Sequence, residues 1–66
     1  MTLEINGATR VVPDLRDVAQ LVVHLDLPAA ALLVEHNGTA LRRDEWEGVP
    51  LADGDRLEIL RIAAGG

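Results

Sequence analysis

Two Asn-Gly pairs, Asn6-Gly7 and Asn37-Gly38, constrain this chain more than any other feature, because each is flanked by short alternating segments. A two-residue type I′ turn needs positive φ at both central positions, which Asn and Gly tolerate, so such a pair is the strongest short-range hairpin signal. Around the first pair, "TLEIN" places Leu3 and Ile5 on one face, and "ATRVVP" returns as far as Pro13. Around the second, "ALLVEH" and "TALRR" play the same parts. The spacing predicts two β-hairpins and leaves the segment between them to connect and cover them.

That segment changes period. Leu15, Val18, Leu21, Val22 and Leu25 recur at three- and four-residue spacing, with Arg16, Gln20 and His24 opposite. This is the pattern of one amphipathic helix, predicted over residues 15–26, with Asp14 as N-cap and Leu27-Pro28 as its end. Beyond the second hairpin, "DEWEGVPLADGD" reads as loop with one helical turn around Glu45–Glu47, closing in a tight Asp53-Gly54 turn. In the final strand, "RLEILRI", Leu57, Ile59 and Arg61 face one way, and Glu58, Leu60 and Ile62 the other. Apolar residues on both faces predict a central rather than an edge strand. The fold class is therefore α+β: a mixed sheet of four to five strands covered by one main helix, in the order of the β-grasp (ubiquitin-like) architecture. Residues 1–62 are expected to form that domain, and residues 63–66 a flexible C-terminal tail ending in Gly-Gly.

Composition removes several functions. With 66 residues the chain is one domain, and Trp46 is its one aromatic residue, so the core must come from Leu, Val, Ile and Ala. There is no Cys, which removes disulfides, thiol nucleophiles and Cys-based zinc sites together. A formal charge of −5, with all six basic residues Arg, suits basic protein partners and not nucleic acid. No apolar run approaches the roughly 18–20 residues of a membrane span, and "MTLEING" lacks the features of a signal peptide, so no membrane association and a cytoplasmic location are expected.

Catalytic signatures are missing as well. The sequence has no nucleophile elbow, phosphate-binding loop or cofactor fingerprint. His24 and His36 read as a solvated helix-face residue and a strand-end or turn residue. Asp53/Asp55 and Asp44/Glu45/Glu47 could be acid-base groups or calcium ligands, but Asp-Gly-Asp is also what a tight turn requires. The expectation is that the domain is not an enzyme, holds no metal and binds no cofactor. The tail is different. Ala63, Ala64, Gly65 and Gly66 carry no bulky side chain, so they can extend through a narrow channel into another protein's active site, where Gly allows close approach. A Gly66 α-carboxylate is a poor electrophile until activated, for example as an acyl-adenylate. In a chain without Cys, any sulfur carried must then sit on that carboxyl group as a thiocarboxylate.

With these residues laid out, the chain resembles the ThiS family, the bacterial sulfur-carrier proteins of thiamine biosynthesis. The resemblance runs over nearly the whole chain. "LRDVAQLVVHLDLP" resembles the family's helix, and "LLVEHNGTALRRDEW" its Val-x-x-Asn-Gly stretch followed by Arg and an aromatic residue. On that alignment Asn37, Arg43 and Trp46 fall on family positions. "LADGDRLEIL" resembles its Leu-x-x-Gly-Asp turn and last strand, and Gly-Gly follows. Three positions depart: Arg42 stands where Pro is common, Asp26 where Gly often follows the helix, and Asp14 must cap where Thr is usual.

The resemblance implies a cycle. An E1-like adenylyltransferase of the ThiF type would use ATP to adenylate Gly66. Sulfur derived from a cysteine desulfurase would replace the adenylate, and a thiazole synthase of the ThiG type would accept it. Trp46 and Leu51 could face these partners, although a lone Trp more often covers a small core. A molybdopterin-type sulfur carrier and a ubiquitin-like modifier attached through Gly66 are the alternatives.

Overall fold

The computed structural model describes residues 1–62. Strands β1 (Thr2–Ile5) and β2 (Ala8–Val11) precede helix α1 (Val18–His24). Strands β3 (Leu32–His36), β4 (Thr39–Leu41) and β5 (Arg56–Arg61) follow, with 3-10 turns at Ala29–Ala31 and Arg43–Gly48. They form a mixed five-stranded sheet in the order β2-β1-β5-β3-β4. β5 runs parallel to β1 and antiparallel to β3, so the last strand is central, as its two-faced pattern predicts. This is the β-grasp arrangement. No helix among the described residues is long and apolar enough to cross a membrane.

Both Asn-Gly pairs turn with positive φ at each residue: Asn6 at 51° and Gly7 at 82°, Asn37 at 49° and Gly38 at 86°. One face of the sheet then meets α1. Leu3, Ile5, Val34, Leu57 and Ile59 from the strands bury against Val18, Leu21 and Val22 of the helix, and Trp46 completes the cluster. Each such side chain contributes roughly 1.5–3 kcal/mol by leaving water, which a small domain needs in aggregate.

The helix is shorter than the apolar periodicity suggests. Asp17, not Asp14, is its N-cap, and its carboxylate accepts from the Gln20 amide at 2.9 Å. The preceding residues are held extended by the segment after the second 3-10 turn. Val18 N donates to Val49 O at 3.1 Å, and Leu51 N donates to Arg16 O at 3.2 Å. Leu15 therefore packs on the core from an extended segment, and Asp14 stands in solvent. At the other end Leu27 N donates to Val22 O and Asp26 N to Val23 O. That is a Schellman closure, which puts its C′ residue in the left-handed region. Here that residue is Asp26, at φ 56°.

The stretch read as loop is also more regular than expected. β4 stops at Leu41, and the six residues Arg43–Gly48 wind as 3-10 helix, held at their start by Glu45 Oε1 accepting from Arg42 N at 2.7 Å. Trp46 anchors the turn. It is the largest fully buried side chain, 1% exposed, and Arg43 covers its ring 4.7 Å from the centroid.

Candidate functional site

β5 is the element from which the Gly-Gly segment continues, and the fold grips it from both sides. On the β1 side, Asn6 extends the ladder with its side chain: Ile59 N donates to Asn6 Oδ1 at 2.7 Å, and Asn6 Nδ2 donates to Ile59 O at 3.0 Å. On the β3 side, Arg56 N donates to Asn37 Oδ1 at 2.8 Å, while Asn37 N donates to Arg56 O at 2.8 Å. The two turn residues thus do more than reverse the chain. Their positive φ aims each side chain across at the central strand.

Just before β5 lies a polar latch. Asp55 Oδ2 is 2.8 Å from His36 Nε2 and accepts from Ala52 N at 2.9 Å, while its Oδ1 accepts from Asn37 Nδ2 at 3.1 Å. Partial burial works against the Asp55 charge, but the hydrogen bonds from His36, Ala52 and Asn37, together with the His36 charge, outweigh it. They hold the carboxyl below its ordinary value. Asp53 ties the same turn to β1, accepting from Thr2 N at 2.7 Å. The Asp-Gly-Asp sequence is thus the turn that launches β5. His24, by contrast, stays exposed at the end of α1. No group of three or more imidazole and carboxylate side chains gathers as a metal site among the described residues.

Among the described residues, nothing covers the sheet face away from α1. Leu33 and Leu60 stand directly opposite each other there, 55% and 59% exposed, and Ile62 continues the row at 46%. Glu35 and Glu58 form the next cross-strand pair along the same face. β5 is thus central, as its two-faced pattern predicts, with one apolar face in the core and the other exposed. On the α1 side, a groove of about 270 Å3 opens toward the far end of β5, with Ile5, Leu32 and Ile59 at its base and Arg61 at its rim. A larger depression of about 410 Å3 runs along α1 and includes no residue of β5.

The residues singled out from the sequence separate into three groups. Gly66, Gly65, Ala64 and Ala63 lie outside the described residues. Trp46 faces the core, so its ring offers no surface to a partner. Leu51 is half-buried against the core beside Arg16. The exposed Leu33–Leu60 pair was not singled out from the sequence, since only the register of β3 on β5 brings the two together.

A family model described as the ThiS family matches residues 2–66. The chain is similar to the crystal structure of the thiamine biosynthesis protein (ThiS) of Geobacter metallireducens, with 32% identity, all of both chains covered and a TM-score of 0.85. The solution structure of a thiamine biosynthesis protein from the same organism gives a TM-score of 0.82 at 32% identity, covering all of this chain and 88% of that one. The uncharacterized protein ycf40 of Trieres chinensis is 26% identical over 65 residues, covering 98% of this chain and 89% of its own length.

Proposed function

The chain belongs to the ThiS family, and from that premise we propose that it carries sulfur in thiamine biosynthesis, with the Gly66 α-carboxylate as the carrying group. The observation that bears the proposal is the match through residue 66, which includes the small-residue run that follows a strand anchored on both sides. A rigid stalk and a side-chain-free tip suit a co-substrate that must enter other proteins' active sites.

The chemistry follows from the carboxylate. An oxygen of Gly66 attacks the α-phosphorus of ATP in an E1-like adenylyltransferase, releasing pyrophosphate and leaving an acyl-adenylate. A sulfur nucleophile then attacks the acyl carbon, and AMP leaves with the bonding electron pair. If that sulfur arrives as a persulfide drawn from a cysteine desulfurase, a second thiol takes the remaining sulfur as a disulfide and frees the thiocarboxylate. A thiazole synthase accepts the sulfur, and water restores the carboxylate oxygen. The domain is the co-substrate of these steps, with ATP consumed on the partner. The exposed Leu33–Leu60 pair, with Ile62, is the apolar surface an activating enzyme would cover while holding the tail.

The test is reconstitution with the adenylyltransferase, the sulfur source and thiazole synthase. Deleting Gly66 is expected to abolish thiazole formation while the unfolding temperature stays unchanged. Thiazole formation by the deletion variant would overturn the reading.

A further inference from the structure

We propose that the groove between the segment leaving α1 and the end of β5 receives an acidic segment with aliphatic side chains, belonging to the enzyme that activates Gly66; the proposal rests on the carrier reading above. The groove, about 270 Å3, has an apolar base and wall of Ile5, Leu32, Ile59, Leu25 and Leu27. Arg10 of β2 and Arg61 of β5 also line it, and both are exposed. The remaining polar lining residue, Asn6, has its side-chain amide committed to Ile59.

Charge selects the occupant. The chain carries 11 acidic residues against six Arg. Among the described residues Arg16 and Arg42 each have a carboxylate within 4.0 Å, whereas Arg10, Arg43, Arg56 and Arg61 have none, and of these four only Arg10 and Arg61 line a groove. Two unpaired guanidinium groups beside one apolar groove on an otherwise acidic domain form a local reversal of sign. A bare inorganic anion would pair with them but leave the aliphatic base wet. A peptide bearing carboxylates and aliphatic side chains satisfies both.

Position selects the partner. Arg61 is the last residue of β5, and the five residues from Ile62 to Gly66 span at most about 18 Å even when fully extended. An enzyme whose active site holds Gly66 must therefore bring its surface over this end of the sheet.

The experiment measures carrier-dependent ATP–pyrophosphate exchange by the adenylyltransferase of the same organism. It compares wild type with Arg10→Glu, Arg61→Glu and the double variant, alongside thermal unfolding and sedimentation of each. Each single reversal is expected to raise KM for the carrier about tenfold and the double more, with kcat and the unfolding temperature unchanged. The wild-type KM should also rise more steeply with salt than that of the double variant. If wild type supports no exchange, the carrier reading itself fails and this proposal falls with it. If wild type supports exchange but all variants keep KM within about twofold, the groove proposal alone is overturned. A wild-type dimer that the double reversal dissolves would assign the groove to a second copy of the chain and equally overturn it.

Discussion

Asn6, Asn37 and Asp26 occupy backbone conformations that most residues avoid, and each is tied to a long-range or capping role. Replacing Asn6 with Ala removes two hydrogen bonds to Ile59 and places a Cβ-bearing residue without a polar side chain at φ 51°. At about 1 kcal/mol per hydrogen bond and 1–2 kcal/mol for the left-handed conformation, Asn6→Ala should cost about 3–4 kcal/mol in urea unfolding, and Asn37→Ala a similar amount. Asp26 gives the opposite expectation. Its left-handed C′ position favours Gly, so Asp26→Gly should raise stability by up to about 1 kcal/mol, whereas Asp26→Val should lower it. The turn chemistry of both Asn-Gly pairs was legible because type I′ geometry is local. The clamps they form on β5 were not, since the partners lie 53 and 19 residues away in sequence.

Among the elements, the helix and the second hairpin show where local pattern yields to tertiary contact. Apolar spacing continues through Leu15, yet the pairing of Arg16–Val18 with Val49–Leu51 draws that residue out of the helix. Nothing in the sequence near Leu15 signals so remote a partner. The same applies to the turn before β5: its Asp-Gly-Asp chemistry was evident, while the pairing of Asp55 with His36 required the register of β3 on β5. This latch carries a pH dependence. The folded-state pKa of Asp55 is depressed, so its stabilisation is fully present above the unfolded carboxyl value of about 3.9 and is lost as the pH falls through the lower folded value. Between pH 6 and about pH 2, Asp55→Asn should therefore lose less stability than wild type, starting from a lower value at pH 6. Parallel acid-unfolding curves for the two proteins would contradict the latch.

At the scale of the whole molecule, the sheet holds β5 in its centre, and among the described residues one face stays open, with Leu33 and Leu60 uncovered. The β-grasp order was readable because two hairpin signals, one helical segment and one two-faced strand admit few arrangements. The candidate site was readable only in its tip, from residue size and family resemblance. The groove with Arg10 and Arg61 arises from strands and the segment leaving α1, which no local pattern brings together. A carrier of this kind separates folding from chemistry. Gly65→Val is accordingly expected to block adenylation sterically while leaving the unfolding temperature within error of wild type, and a large loss of stability would instead mean that residue 65 is packed.

The most direct test of the central claim is the intact mass of the protein isolated under mild conditions from its own cells. The account predicts a fraction heavier by the difference between one sulfur and one oxygen, located at Gly66 by fragmentation and lost on hydrolysis. Only unmodified carboxylate, together with conjugates joining Gly66 to other proteins, would contradict it and identify the chain as a modifier instead.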